Sequence, residues 1–433
     1  MPHPPDILIA GAGPAGSAAA VHLAQAGFRV LLVDRAAFPR EKPCSEYLSP
    51  EAVRHLADLG VLATLERDGA QPLLGTRVMG PRGARLEGRF SEAAVRPFRD
   101  AGLALPRRIL DQRLVEAAVA AGATLCERTM VEELLHDGGG VAGAVLREAS
   151  GARRAVHARL VIGADGLRSV VARRIAGHPG SRGAGALLRQ LDPEAPAAGA
   201  ALRPHGRPSA PWLSRLAFVA HVEDVPGLDG FAEMHVSDAG YVGLNRIGAG
   251  LANVALVVPA TLGARARGRL DSWMFDELER FPGVRGRVDR RRVTRRVLAT
   301  GPFAYRARRV ITDGALLVGD AADFFDPFTG EGITSALRGA RLAADVAARA
   351  LADGGPATEA RLAPYLAARR AAFLGKWTME RLVGYGMIVP RLFDRAVARL
   401  ERRGLAHTFI GVTGDYVPAS AVLNPWFLAR MVL

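Results

Sequence analysis

The sequence predicts a mixed α/β protein: a doubly wound lobe assembled from three separated stretches, an inserted antiparallel-sheet lobe of α+β character, and C-terminal helices. Three observations predict it. A complete strand, glycine turn, helix and strand unit occupies residues 6–34. Two later apolar strands, within 159–163 and 314–318, each run into a turn bearing glycine and aspartate. The interval between those strands alternates apolar with polar residues. At 433 residues the chain exceeds one ordinary domain, so two intertwined lobes around a sizeable core are expected.

The first unit reads DILIAGAGPAGSAAAVHLAQAGFRVLLVD. Ile7 to Ala10 is a short apolar strand, and Gly11, Gly13 and Gly16 give G-x-G-x-x-G. Pro14 to Gln25 has helical periodicity until Gly27 ends it, and Phe28 to Val33 is a second buried strand closed by Asp34. The first glycine permits a tight turn, the second lets backbone approach a pyrophosphate, and the third lets helix pack on strand. The helix N-terminus attracts phosphates, and Asp34 sits where a carboxylate accepts both hydroxyls of a ribose. A Rossmann-type dinucleotide site follows, with Gly11, Gly13, Pro14, Ala15, Gly16, Asp34 and Arg35 as candidate contacts.

The second motif, RLVIGADGLRSVVARR at 159–174, is a strand ending in Ala164, Asp165 and Gly166, with Ser169 and Arg173 on the following helix. The third runs from 314 to 351: a strand, Gly319 and Asp320, a turn at Pro327, then Gly330, Glu331 and Gly332 opening a long amphipathic helix.

In this order the three motifs resemble the two-lobed FAD-dependent oxidoreductases, a superfamily of aromatic hydroxylases, flavin halogenases and geranylgeranyl reductases. The resemblance covers residues 6 to about 350. It implies FAD as cofactor, with Asp34 on the adenosine ribose, Asp320 on the ribityl chain, and Gly330, Glu331, Gly332 and Ile333 beside the pyrimidine edge of the flavin. Elementary electrostatics agrees: reduced flavin carries negative charge there, and a helix starting at Gly332 presents unpaired N–H groups and a positive dipole end. The R-x-x-L-D start of LPRRILDQRLVEAAV also matches, which carries over Arg107 as a cofactor contact with Arg108 as its alternate. A structural pairing of these arginines with Asp111 is the competing reading. Val131 falls where the family lets backbone meet adenine.

FPREKPCSEYLSPEAV is similar to the P-R-x-K-x-C-G-E segment of the geranylgeranyl reductase branch, with Ser45 in place of glycine, which implies that Cys44 and Ser45 lie near the flavin. Cys44 is then either a small residue that lets the loop approach the cofactor or a group that tunes flavin or touches substrate. A nucleophile needs an adjacent base or positive field, and although Lys42 is close, no histidine is near in sequence. Geranylgeranyl reductases carry Y-x-W-x-F-P at a hairpin whose register Tyr241 sets here. The other positions hold Gly243, Asn245 and Arg246, which implies a wider cavity with a hydrogen-bonding group. Tyr241 and Asn245 join Cys44 as candidates near substrate; the catalytic residues themselves are not assigned. Trp212, Trp273, Trp377 and Trp426 are isolated and no lysine falls in the substrate lobe, so halogenation lacks its activating group. The hairpin resembles more closely a set of bacterial flavoproteins encoded beside polyketide and lipid-tail biosynthesis.

The leading expectation is therefore a monooxygenase using NAD(P)H and O2 on an apolar or aromatic polyketide- or lipid-like intermediate. A flavin-dependent C=C reductase of the geranylgeranyl type and a non-catalytic flavoprotein subunit are the alternatives. GGGVAG at 138–143 lacks a following helix, so the nicotinamide is expected to bind transiently with no domain of its own. The FAD-binding lobe is expected from 1–72, 106–176 and 300–352, the substrate lobe from 73–105 and 177–299, and a helical cap from 353–433. Helices are expected at 358–373, 377–388 and 391–402.

The formal net charge of +14 is almost wholly arginine, since Lys42 and Lys376 are the only lysines. The arginines are scattered and no basic helix carries interleaved aromatics, so nucleic acid is not an expected partner. A loose attraction to anionic membranes, or a carrier-protein contact, is left open, with the hydrophobic end DYVPASAVLNPWFLARMVL as lid or membrane-touching patch. Two cysteines make no disulfide framework, the histidines never fall at ligand spacing for a metal, and the apolar 7–33 stretch is interrupted by glycines and polar residues. A cytoplasmic protein without a metal, targeting segment or membrane span is expected.

Overall fold

Ile7–Ala10, Val30–Val33 and Leu160–Gly163 are buried on both faces, as strands of a parallel sheet covered by helices must be. In this computed structural model, which describes residues 4–177 and 214–432, they form the centre of a six-stranded sheet. Its order is Ile311–Thr312, Ala315–Leu317, Leu160–Gly163, Ile7–Ala10, Val30–Val33, Thr124–Cys126, parallel except for the first edge pair. Trp212 and the 178–213 part of the expected second substrate-lobe stretch lie outside the described residues.

The helix Pro14–Gln25 begins on a proline, whose missing N–H costs nothing at that position, and is almost wholly buried against the helix Gly332–Leu351. Both are rich in alanine, which permits close approach. Arg107–Ala120 packs on the same side.

A seven-stranded sheet forms the second lobe, in the order Val293–Thr300, Arg215–Glu223, Leu251–Pro259, Gly240–Gly248, Phe231–Ser237, Gly75–Met79, Arg85–Arg89. The expected antiparallel hairpin is present, with Val236 opposite Tyr241. One seam departs from the expectation: Phe231–Ser237 runs parallel to Gly75–Met79. That seam joins the two substrate-lobe stretches, which no hairpin connects. The two lobes are also stitched by a small sheet in which Tyr47–Leu48 pairs with Gly102–Ala104.

The expected helices at 358–373 and 377–388 are largely one, Pro364–Gly386, preceded by the short turn Glu359–Leu362. Gly375 does not break it. A Cβ there would lie 2.5 Å from the Ala419 side chain, so the glycine serves helix-to-loop contact. The helices Pro390–Arg402 and Ala406–Thr413 close over the edge strand Arg85–Arg89. Among the described residues no helix is long and apolar enough to cross a membrane.

Candidate active site

The three motifs end side by side. Ala10 pairs with both Val33 and Gly163, and Gly163 pairs with Leu317. The chain leaves each strand at one edge: Gly11 donates to Val33 at 2.8 Å, Ala164 to Ala10 at 2.8 Å, and Val318 to Gly163 at 2.9 Å. This edge, the carboxyl end of a doubly wound sheet, is where such folds bind nucleotides.

The glycine turn is shaped as its residue types require. Gly11 has φ +97°, and a Cβ on it would meet the Ala164 carbonyl oxygen at 2.5 Å; one on Gly16 would meet the Gly11 oxygen at 1.8 Å. Gly13 differs, because only an Arg40 guanidinium nitrogen, at 3.5 Å, faces its missing Cβ. The turn is therefore closed behind and open in front, and no side chain caps the helix at Pro14 and Ala15. Its first N–H groups remain available to a pyrophosphate.

Asp34 is buried and accepts from the Ala12 N–H at 2.8 Å through one oxygen and from Ala36 at 2.9 Å through the other. Each oxygen keeps a lone pair for a ribose hydroxyl. Arg35 beside it is exposed. Val131 lies in the edge strand Thr129–Asp137 of a separate three-stranded sheet, with its side chain in the core. The residues 138–143 join that strand to Gly140–Glu148 and run into it, rather than forming a nucleotide turn.

Arg107 and Arg108 separate clearly. Arg107 is buried and grips Asp111 through two bonds of 2.8 and 3.0 Å, while Arg108 is exposed beside Glu41. The competing reading of a pairing with Asp111 therefore holds for Arg107, whose charge also acts on Asp320 and Lys42. Burial works to lower the Arg107 pKa, but Asp111 and then the Cys44 thiol outweigh it and hold it up. Arg40 approaches Asp111 at 3.2 Å and Asp34 at 3.8 Å, and its buried Nε has no partner. Lys42 lies among Arg107, Arg40, Asp320 and Asp111; burial, then the two arginines, lower its pKa.

Asp320 receives no hydrogen bond from any described residue, and burial pushes its pKa up against the pull of Lys42, Arg107 and Lys376. Asp165 accepts from the Val170 N–H at 2.6 Å, while its other oxygen is buried without a partner; Gly166 follows at φ +76°. Ser169 caps the helix rather than lying within it, its oxygen accepting from the Ala172 N–H. Gly319 takes φ +61°, and Pro327 begins a single turn capped by Asp326, which accepts from the Phe328 N–H at 3.0 Å.

Gly330 must be glycine on two counts: φ is +74°, and a Cβ would strike the Tyr47 ring at 2.6 Å. Glu331 then precedes the helix at Gly332 without capping it. Its carboxyl accepts from the Ser49 hydroxyl at 3.1 Å, its other oxygen is buried and unpartnered, and burial pushes its pKa up to about 8. Ile333 packs into the core, leaving its backbone N–H as its contribution. Lys376 donates to the Glu331 carbonyl at 3.3 Å and pairs with Glu380 at 3.2 Å.

The loop bearing Cys44 and Ser45 is pinned from the substrate sheet. Asn253 Nδ2 donates to the Ser45 carbonyl at 2.9 Å and to Cys44 at 3.1 Å. Glu46, fully buried with φ +55°, accepts the Arg107 N–H at 2.9 Å, meets His221 Nε2 at 2.7 Å and lies 3.6 Å from Arg295. No histidine stands near Cys44 in sequence, yet the fold brings His221 onto Glu46, two residues after it. Sequence reasoning missed Glu46, His221, Arg295 and Asn253; only the burial-prone position of Asn253, in an otherwise apolar strand, signalled one of them.

Tyr241 is buried and donates to Asp326 at 2.7 Å, while Arg215 donates to the other oxygen at 2.6 Å. Burial and Asp326 hold its phenol protonated. Through that bond it positions the Pro327 turn, which Asp326 caps. Asn245 faces the smaller of two cavities beside the flavin turn, with Ser45, Tyr47, Gly243, Phe328 and Gly330, and its Nδ2 is buried without a partner. The larger reaches Asp320 and Gly332 between Phe324, Phe373, Trp377 and Arg381.

An open glycine cradle, a buried ribose acceptor, unpartnered oxygens on Asp165 and Glu331 and an uncapped second helix along one sheet edge fit FAD from adenosine to flavin. They define a two-lobed flavoprotein. The comparisons with known proteins agree: residues 5–193 match the family of the FAD binding domain. The chain is 30% identical over 357 residues to a digeranylgeranylglycerophospholipid reductase of Methanosarcina acetivorans, covering 81% of this chain and 76% of that one. It is equally 30% identical over 350 residues to a menaquinone reductase of Mycolicibacterium smegmatis, covering 79% and 76%. Among solved structures, a geranylgeranyl bacteriochlorophyll reductase-like protein of Thermoplasma acidophilum shares the fold at TM-score 0.72 and 21% identity, covering 99% of this chain and 98% of that one. A flavin-dependent brominase does so at TM-score 0.75 and 20%, covering 99% and 97%. The chain belongs to the two-lobed FAD-dependent oxidoreductases, in the geranylgeranyl reductase-like branch.

Proposed function

We propose that this oxidoreductase is a flavin-dependent C=C reductase acting on an apolar, alkene-bearing substrate with a polar head. This replaces the monooxygenase expectation drawn from the hairpin. Similarity over 79–81% of the chain to proteins named for digeranylgeranylglycerophospholipid and menaquinone reduction outweighs the short hairpin resemblance that favoured hydroxylation.

The single observation that carries the reading is the clamped loop between cofactor turn and substrate sheet. Asn253 holds its carbonyls, Ser49 ties it to Glu331, and Tyr47 lies under Gly330. The loop thus walls a mostly apolar recess, with Ala232, Leu244, Ala255 and Phe328 facing it, that suits an apolar chain passing the flavin. Asn245 offers its unpartnered N–H to a carbonyl or ether oxygen of the head group, and Gly243 leaves room for it.

Held by the glycine turn, Asp34 and Asp320, reduced FAD would supply hydride chemistry for one alkene carbon, and the protein must deliver a proton to the other. Ser45, Tyr47 and Thr76 bring hydroxyls to the cavity wall, and burial keeps the Tyr47 phenol protonated. The uncapped N–H groups at Gly332 stabilise negative charge at the pyrimidine edge. NAD(P)H is the proposed reductant, docking transiently.

Anaerobic single turnover tests the reading. Pre-reduced holoprotein mixed with a geranylgeranyl lipid should regain oxidised-flavin absorbance without oxygen, with product heavier by two hydrogens. Flavin that stays reduced until oxygen enters, with oxygen found in the product, would return the assignment to a hydroxylase.

A further inference from the structure

The helix Pro364–Gly386 buries Tyr365, Phe373, Met379 and Val383 but leaves other apolar side chains outside. It buries charge, with Arg369 5% and Glu380 8% exposed, while Leu374 is 49% and Leu382 40% exposed. Leu374, Thr378, Arg381, Leu382 and Tyr385 follow helical spacing on one outward face. The apolar surface continues past the helix end through Ile388, Val389 and Leu392, at 44%, 50% and 50% exposed, into the first turn of Pro390–Arg402.

The charges at this corner have one sign. Arg381, Arg391 and Arg395 are exposed. Asp394 is the only acid from 381 to 395, and it turns inward to accept the N–H groups of Arg82 at 3.0 Å and Ala84 at 3.3 Å. Arg381 also lines the mouth of the larger cavity, which runs past Phe373 and Trp377 to Asp320 and Gly332.

We propose that this helical corner docks on an anionic lipid bilayer, with Leu382, Ile388, Val389 and Leu392 entering the interface and the three arginines meeting lipid phosphates. Single apolar residues set among arginines, whose stems extend along apolar surface while their heads reach outward, match interfacial binding. A two-fold contact with a second copy would instead set the same three arginines against each other. The docked corner places the aromatic cavity at the lipid surface, giving a water-insoluble substrate a path toward the flavin site.

Sedimentation of the purified holoprotein with vesicles of phosphatidylcholine, with and without phosphatidylglycerol, tests the dock independently of turnover. Binding is expected only with phosphatidylglycerol. The double variant Val389→Glu, Leu392→Glu should bind at least about tenfold more weakly, and Arg391→Gln about fivefold more weakly, the equivalent of one interfacial charge. Unchanged flavin absorbance would show that both variants fold. Wild-type protein that ignores phosphatidylglycerol vesicles, or a double variant that binds as well, would overturn the proposal. So would a dimer in sedimentation velocity that Val389→Glu splits, or saturable binding of an acyl carrier protein at this corner without binding to vesicles.

Discussion

Asn253 holds the Ser45 carbonyl at 2.9 Å across a gap of 208 residues, and the same amide reaches Cys44 at 3.1 Å. One side chain of the substrate sheet thus sets where the cofactor-side loop ends. Asn253→Ala removes both bonds and leaves two carbonyls short of partners, a cost of about 1–3 kcal/mol. Urea denaturation should register that loss. FAD should stay bound through the glycine turn, Asp34 and Asp320, to none of which Asn253 bonds, while the loosened Cys44–Ser45 loop lowers turnover.

The glycine turn separates folding from binding. Gly13→Ala puts its Cβ no closer than 3.5 Å to any described atom, so the protein should fold normally. FAD affinity should fall by about tenfold or more, as when one hydrogen bond to a charged group is lost. Gly16→Ala drives a Cβ into the Gly11 carbonyl and should cost the fold itself. Thermal melts with and without FAD distinguish the two variants.

Arg107 and Arg108 are adjacent, yet their replacements should differ sharply. Arg107→Ala strands the fully buried Asp111 carboxylate with Arg40 as its remaining cation, and loss of a buried partner costs about 3–5 kcal/mol. Arg108→Ala, at an exposed position, should fall within about 0.5 kcal/mol of wild type. Denaturant titration of both variants checks this.

Glu331 ties stability to pH. Burial raises its folded pKa from 4.5 to about 8, so between those values the folded state holds a proton that the unfolded state has released. Its contribution is greatest below pH 4.5 and is lost as pH rises through about 8. Glu331→Gln, always neutral, should melt close to wild type near pH 5 and gain on it progressively toward pH 9. A constant difference across that range would place the carboxyl in contact with water.

Much of the cofactor lobe was legible because its signals are local. The strand, glycine turn and helix around Gly11 to Gly16 need only neighbouring residues, and Gly330 to Gly332 likewise opens its own helix. The clamp at Glu46 was not legible, since His221 lies 175 residues away and Arg295 further still; neither stands in a periodic pattern. The parallel seam between Phe231–Ser237 and Gly75–Met79 was hidden for the same reason, because the alternation in each strand is identical for either partner direction. The hairpin motif places Tyr241 near the flavin, but its bond to Asp326, a partner on another lobe, is one that no spacing reveals.

FAD content of the purified protein tests most directly whether Gly13, Asp34, Asp165, Asp320 and Gly332 serve one cofactor. Absorbance and the mass of the heat-released cofactor should give one FAD per chain after reconstitution, with a marked loss in Asp34→Ala and in Asp320→Ala. Protein that stays colourless in excess FAD, or variants that retain it as wild type does, would contradict the account.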